Sequence, residues 1–241
     1  MTTNQPPGFA AAEPPAGRLA RLGPGVGVDG RQAALSVPLR AFHQRLLEAF
    51  LTGTSPPDAA VVARQAAQLE LDPRAALVAL AAADLVHPDS ATGSLSVAYP
   101  FSGRPTPHRV ELAGGPAVFA MCAIDALGIP QMLGRDGHIG SNDPATGQPI
   151  TVEVHHGIWR FRPATTVLLV ARTAGGDACG PVADCRCPHI NFHTNTEAAD
   201  AYRRAHPGMT SQLFGQSEAV QVAWQAFGGL LDRSNPQERT P

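Results

Sequence analysis

Apolar residues recur at helical spacing in three successive segments of the first half of the chain. Asp58 and Asp72 are suited to cap the second and third of these helices, and Pro73 suits the first turn of the third, which runs to about Leu85. The pattern is clearest between Val37 and Gly53. Its apolar positions are Leu39, Phe42, Leu46, Leu47, Phe50 and Leu51.

The pattern changes to alternation after the third helix. Residues 87–93 have the composition of a turn, and Leu95, Val97 and Tyr99 then alternate with small or polar residues. Three helices followed by a hairpin predict a winged-helix-like module over residues 36–104. Its candidate recognition helix carries only Arg74 as a basic residue beside two aspartates, so we interpret the module as structural rather than DNA-binding.

Beyond Pro105 the chain contains short β-prone runs, separated by one helix that holds Cys122 and two helices near the end. The sequence therefore predicts an α+β core domain over residues 105–235 with short, mainly antiparallel strands. Gly114-Gly115-Pro116 is expected to begin the Cys122 helix and to place Cys122 in its second turn. The clearest strands are 109–112, 150–154 and 166–170, and the last two helices begin near Thr196 and Ser217.

The two ends of the chain show no sustained periodicity of hydrophobic residues. Residues 1–35 are rich in Pro, Gly and Ala and are predicted to be disordered, as is a short tail over 236–241. Glycines at 25, 27 and 30 match a dinucleotide-binding fingerprint in form, but no strand precedes them and no helical pattern directly follows, which argues against a nucleotide site.

Composition narrows the class of protein. Hydrophobic residues make up 44% of the chain and aromatic residues 5%, so Ala, Val, Leu and Ile must build the core. A net charge of -2, with arginine as every basic residue, disfavours nucleic acid and anionic membranes as partners. The first residues lack a secretion signal and no long apolar span follows, so we expect a cytoplasmic protein with reduced thiols.

Two cysteine segments carry the candidate chemistry. Cys122 and Asp125 lie three residues apart, on one face of a helix, so a sulfur nucleophile and a proton-transfer group project side by side. Cys185 and Cys187 lie in a proline-containing loop that can present further thiolates. Asp125 stands in an apolar stretch, where an unpaired carboxylate is costly, which favours a role in moving protons.

Residue type alone leaves other interpretations open. Cys122 can be an inert core thiol. A structural zinc site would need His189, His193 or Cys122 beside the loop cysteines, and the loop lacks Cys-x-x-Cys spacing, which also weighs against a thioredoxin-like redox pair. Cys179 and Cys185 can be spare thiols, a reversible disulfide or soft ligands.

Several blocks in this order resemble the organomercurial lyases, also called alkylmercury lyases, across about residues 36–233. Each block is short, and their common order and spacing make the resemblance specific. The blocks are Cys122-Ala-Ile-Asp125 with Leu127 and Pro130, Leu133-Gly134-Arg135, Ser141, Ala145-Thr146-Gly147-Gln-Pro149, Cys187-Pro-His189-Ile-Asn-Phe192 and Glu218-Ala219.

The resemblance implies cleavage of a carbon–mercury bond by protonolysis, which gives a hydrocarbon and Hg(II) without an added cofactor. In the family's pattern Cys122 is the first thiolate on the metal, Cys187 is the second and Asp125 relays a proton to the leaving carbon. Cys185 is a further candidate ligand. Thiolates are the softest protein ligands and suit a soft metal such as mercury. The implied partners are a small organomercurial, and cellular thiols or a mercuric reductase as acceptor of Hg(II).

Two positions depart from the family's pattern. Met121 stands where members often carry an aromatic residue, which bears on substrate range. Asp143 stands near the position of a further cysteine, and any structural role of that thiol is expected to be lost. Two alternatives therefore stay open: a homologue that acts on another substrate, such as an organotin or a biosynthetic intermediate, and a non-catalytic module that binds or senses a soft metal.

Overall fold

Nine α-helices occur in the part of the chain that the computed structural model describes, which is residues 14–21, 27–53, 55–173 and 182–232. Five precede the main sheet, α6 lies at the centre of the fold, and the last three follow the longest strands. They are α1 (Pro15–Ala20), α2 (Val28–Ala33), α3 (Val37–Thr52), α4 (Ala59–Ala67), α5 (Pro73–Ala82), α6 (Ala123–Leu133), α7 (Val182–Cys185), α8 (Thr196–Ala205) and α9 (Gln216–Phe227).

The strands of the described residues form two sheets, in which neighbouring strands pair antiparallel. The larger sheet has the order β1-β2-β3-β5-β4-β6-β7-β8, and the smaller has the order β10-β9-β11. The strands are β1 (Val86–Pro88), β2 (Leu95–Ala98), β3 (Phe101–Ser102), β4 (Arg109–Leu112), β5 (Ala117–Ala120), β6 (Gly137–Asn142), β7 (Pro149–His155), β8 (Ile158–Arg162), β9 (Val167–Thr173), β10 (Ile190–His193) and β11 (Met209–Phe214).

The predicted α+β class with antiparallel strands is confirmed, as are three helices followed by a hairpin. Asp58 and Asp72 cap α4 and α5, accepting hydrogen bonds from the Val61 and Ala75 N–H groups at 2.8 and 2.7 Å. The hairpin β1–β2 is not a free wing, because β2 also pairs with β3 and so extends the sheet. Strands on both sides of residue 104 thus share one sheet, and the division into 36–104 and 105–235 stays a prediction.

The prediction of disorder over residues 1–35 is wrong for α1 and α2. Arg18 in α1 pairs with Glu218, and its guanidinium lies 4.6 Å from the Phe214 ring centre. Gln32 in α2 is buried and bonds to the Nδ1 atom of His43 at 2.8 Å. These helices are held by contacts with residues far away in the sequence, including the core packing of Val28, and a local pattern does not reveal such contacts. Residues 1–13 and the tail over 236–241 lie outside the described residues.

The predicted start of the Cys122 helix is also wrong. Gly114 and Gly115 form the turn of a hairpin, with Gly114 at φ +64°, and residues 117–120 return as β5 beside β4. Pairing with β4 on one edge and β3 on the other makes this run a strand. Helix α6 therefore begins at Ala123, and Cys122 is its N-cap residue instead of a second-turn residue.

Helix α6 is buried on nearly all sides, which its almost uninterrupted apolar sequence permits. It contacts β4, β5 and β6 of the large sheet, β10 of the small sheet, and α9. Gly128 allows the approach of α9, because a Cβ atom there would lie 2.4 Å from the Phe227 ring. The N-terminus of α6 is thus fixed from several directions.

Asp143 joins the β6–β7 loop to the end of β10, and its carboxylate is fully buried. One oxygen accepts from the Thr194 N–H and hydroxyl at 2.8 and 2.9 Å, and the other accepts from the Ala145 N–H at 2.8 Å and lies 3.0 Å from His193 Nδ1. Burial alone would raise the Asp143 pKa, but these partners hold it below its ordinary value. Asp143 therefore has a structural role of its own, which the sequence analysis did not predict.

We expect Asp143→Ala to lower the free energy of unfolding by about 3 kcal/mol, because it leaves several buried donors without an acceptor. Urea denaturation measures this directly. Asp58→Ala is the matched control, since it removes an aspartate that makes one exposed cap bond and should cost only about 1 kcal/mol. Equal losses for the two variants would contradict the structural role of Asp143.

Candidate active site

Cys122 and Asp125 lie at the N-terminus of α6, where the chain leaves β5. Cys122 has an extended backbone (φ -152°, ψ -178°) as the N-cap residue, and Asp125 is the third residue of the helix. The Cys122 side chain and the backbone N–H groups of Cys122 and Asp125 face the Asp125 carboxylate and favour its charged form. One carboxylate oxygen lies within 4.8 Å of the Cys122 sulfur.

Cys187 approaches the same point from the other sheet. It opens a short 3₁₀ turn, Cys187–His189, between α7 and β10. Strand β10 contacts both α6 and β6, so the turn that precedes it lies against the N-terminus of α6. Packing of β10 against α6 and β6 therefore brings together two cysteines that are far apart in the sequence.

The two sulfurs and one Asp125 oxygen all lie within 4.8 Å of one another. Each of the three side chains is at most 3% exposed. They line a cavity of about 340 Å³, counted with its open mouth. The remaining lining residues are Val28, Arg31, Tyr99, Ile124, Arg186, Ile190 and Phe227.

Burial keeps both thiols protonated at rest. It raises the Cys122 pKa well above its ordinary value, and the neighbouring Cys187 sulfur and Asp125 carboxylate add to the effect. For Cys187 the hydrogen bond with Cys122 lowers the pKa, but burial and the charges of Asp125 and Asp84 outweigh it and leave the pKa raised. A soft cation that displaces these protons gains two sulfur ligands at once.

Asp125 has a pKa of about 7, raised from 3.8 by burial. The Cys122 thiol, the positive charge of Arg31 and the two backbone N–H groups act in the opposite direction. A carboxyl with this pKa is present in both protonation states near neutral pH, so it can accept a thiol proton and later donate it. The site thus combines two soft ligands with one acid–base group.

The other predicted ligands do not join this group. Cys185 is buried and disulfide-bonded, contrary to the expectation of reduced thiols, so it presents no free thiol, and Cys179 lies outside the described residues. The Nδ1 atom of His189 is 2.9 Å from the Tyr202 hydroxyl, and that of His193 is 3.0 Å from Asp143. Neither histidine belongs to the group of close ligand atoms that Cys122, Asp125 and Cys187 form, so the described residues do not assemble the zinc site considered for the loop.

Three polar wall residues, Tyr99, Arg31 and Arg186, were not identified as site residues from sequence. Tyr99 appeared there only as an apolar position of a strand, and Arg31 lay within the segment predicted to be disordered. The Arg31 guanidinium lies 5.6 Å from the Tyr99 ring centre and bonds to Asp84 at 2.7 Å. Nothing in the local pattern marks Tyr99 or Arg31, because both reach the cavity through long-range packing.

None of the helices in the described part of the chain is long and apolar enough to cross a bilayer.

Comparison with known proteins identifies the alkylmercury lyase family. The model of that family, MerB, matches residues 101–228, which is more than half of the chain and includes all three residues of the buried group. Alkylmercury lyases of Streptomyces lividans and Bacillus cereus are 31% and 32% identical over 133 and 134 residues. Each match covers 55% of this chain, and 59% and 58% of the respective relative.

The alkylmercury lyase of Pseudomonas putida is 31% identical over 107 residues, 44% of this chain and 49% of that protein. The chain thus spans about half to three-fifths of the length of these relatives. The fold is similar to the crystal structure of the mercury-bound form of MerB2, with a TM-score of 0.58, 22% identity, and coverage of 82% of this chain and all of that one. On the extent of the family match, this chain belongs to the alkylmercury lyase family.

Proposed function

We propose that this protein is an alkylmercury lyase, which cleaves carbon–mercury bonds by protonolysis and releases a hydrocarbon and Hg(II). The observation that carries the proposal is the buried group of Cys122, Asp125 and Cys187, with ligand atoms within 4.8 Å of one another. Two thiolates can hold mercury and polarise its bond to carbon, and the carboxyl can supply the proton that the carbon requires. Membership of the family supports this assignment.

The proposed reaction balances without a redox step. Cys122 gives up its thiol proton, through Asp125, to the departing ligand of the organomercurial, and its sulfur bonds to mercury. Cys187 then bonds to mercury while its proton moves to Asp125. The carbon–mercury bond breaks with its electron pair on carbon, and Asp125 donates its proton there. The products are the hydrocarbon and Hg(II) held by two thiolates.

We propose further that the protein needs no added cofactor and that free thiols are required for turnover. Two buried thiolates hold Hg(II) tightly, so release requires competing thiolates, from cellular thiols or from a mercuric reductase. This exchange favours a reducing cytoplasm as the place of action. In this proposal mercury is substrate and product.

Helices α3–α5 and hairpin β1–β2 are proposed to serve as a winged-helix-like structural module without a nucleic-acid or membrane partner. Helix α5, at the position of a recognition helix, has Arg74 as its one basic residue and exposes Val78. A groove-reading helix needs several groups that bind phosphates and base edges. Salt-sensitive binding of duplex DNA would argue against this assignment.

Two other functions make different use of the same group. A family homologue specific for another substrate, such as an organotin, would keep all three residues. A soft-metal-binding or regulatory module would use the two sulfurs and have no need of a proton donor. The raised pKa of Asp125, beside the Cys122 thiol, favours proton transfer and therefore the enzyme.

We expect the purified protein with excess thiol to release benzene from phenylmercury, and Asp125→Asn to slow this at least a hundredfold. The amide keeps the shape of the carboxyl but cannot relay a proton. Gas chromatography of the headspace measures the benzene. Asp136→Asn is the matched control, since Asp136 is a half-buried aspartate paired with His155, outside the cavity, and should leave the rate unchanged.

Absence of benzene from the wild-type protein, together with stoichiometric Hg(II) binding, would instead support the metal-binding module. A rate unaffected by Asp125→Asn would remove Asp125 from the mechanism.

The Asp125 pKa also predicts a pH-dependent stability. Because the folded pKa is about 7 and the unfolded pKa about 3.9, the carboxyl contributes stability that is present below the unfolded pKa and lost as pH rises through 7. The amide of Asp125→Asn does not titrate. Relative to this variant, the wild type should therefore lose about 2 kcal/mol of unfolding free energy between pH 5 and pH 8. Parallel pH curves in urea denaturation would refute the raised pKa.

A further inference from the structure

Arg31 contributes a positive charge to the wall of the reaction cavity that the proposed chemistry does not use. It lies in α2 and lines the same cavity as Cys122, Asp125 and Cys187. Its Nη1 atom donates to the Asp84 carboxylate at 2.7 Å. Its Nε and Nη2 atoms are buried and have no hydrogen-bond partner among the described residues.

Buried guanidinium N–H groups without acceptors are costly, and they suit the two oxygens of a carboxylate. Arg186 lines the cavity as well, but it already has an interaction partner. The remaining cavity wall is mainly apolar, with Val28, Ile190 and Phe227. An organic group that carries one carboxylate would thus find an apolar surface and one cation with unused donors.

The guanidinium is held in position without the use of these donors. Asp84 binds one nitrogen and is itself 2.8 Å from the His87 Nε2 atom, while the Tyr99 ring lies under the guanidinium carbon. Such support fixes an arginine in advance and lowers the entropy cost of binding an anion.

We propose that Arg31 forms a carboxylate-binding subsite in the reaction cavity. The inference rests on the proposed lyase function and names its substrate class. The carboxylate belongs either to the organomercurial, as in a mercurated benzoate, or to the thiol that removes Hg(II), as in mercaptoacetate. The organomercurial and the thiol would each present a carboxylate to the Arg31 donors, and two experiments distinguish between these two sources.

The first experiment compares kcat/KM for 4-(hydroxymercuri)benzoate and its uncharged methyl ester, with 2-mercaptoethanol as the thiol. We expect the wild type to prefer the acid, and Arg31→Gln to lower the acid-to-ester ratio about ten- to a hundredfold, as for loss of a charged hydrogen-bonding pair. Arg31→Lys, which keeps the charge but not the planar fork, should retain part of the preference.

The second experiment keeps phenylmercury as the substrate and compares mercaptoacetate with 2-mercaptoethanol. If Arg31 affects the preference for the carboxylate compound only in the first experiment, the subsite belongs to the organomercurial. If Arg31 affects that preference only in the second experiment, the subsite belongs to the thiol. Equal ratios for wild type and Arg31→Gln in both experiments would overturn the proposal.

Asp84→Asn distinguishes anion binding from a structural role of the Arg31–Asp84 pair. It weakens the pair but keeps the guanidinium charge and the donors that Asp84 does not use, so the acid-to-ester ratio should fall much less than in Arg31→Gln. A fall as large as that of Arg31→Gln would mean that Arg31 acts only by holding α2, and would overturn the subsite. If the wild type releases hydrocarbon from neither mercurial, the lyase function fails. Calorimetric affinities of the acid and the ester for wild type and Arg31→Gln then decide the subsite, and equal affinities overturn it.

Discussion

Burial of two thiols and a carboxyl at the N-terminus of α6 is the constraint on which the rest of the structure depends. In contact with water, the Asp125 carboxyl would be fully ionised at neutral pH, and neighbouring charges would have less effect on its pKa. Burial raises this pKa to about 7. That burial requires a helix enclosed on nearly every side, with β4–β6 beneath it, β10 beside it and α9 packed closely enough to need Gly128.

The two sheets have different roles in building the site. Cys122 follows the end of β5 in the large sheet. Cys187 lies in the turn that leads into β10, which pairs with β9 in the small sheet. Asp143 joins the two sheets, because its carboxylate binds the residues at the end of β10 from the β6–β7 loop. A buried ionic network thus fulfils a structural role at a position where the resemblance suggested only the loss of a thiol.

Local sequence patterns were sufficient where local forces decide the structure. Amphipathic spacing and aspartate caps predicted α3, α4 and α5, and alternation predicted the β1–β2 hairpin and β4. They failed where contacts with residues far away in the sequence determine the structure. Residues 117–120 are too few to distinguish strand from helix, and two neighbouring strands resolve the choice. Helix α2 is stabilised by the contacts of Arg31 and Gln32, which no short pattern contains.

The candidate site was predictable from sequence only in part. The order of short blocks singled out Cys122, Asp125 and Cys187, and the fold brings them together. Spacing alone could not separate Cys187 from Cys185, two residues away. The structure separates them, because Cys187 is a free thiol in the cavity wall and Cys185 is disulfide-bonded. The cavity residues Tyr99 and Arg31 depend on tertiary packing and were not predicted.

Centrally, both sulfurs are proposed to bind the mercury atom, while the carbon atom that leaves this mercury receives the proton. A single turnover of phenylmercury without external thiol, with benzene and remaining protein thiols counted together, tests it most directly. We expect one benzene per protein molecule and the loss of two titratable thiols for each benzene. Benzene released in full by Cys187→Ser, or released with no loss of thiols, would contradict it.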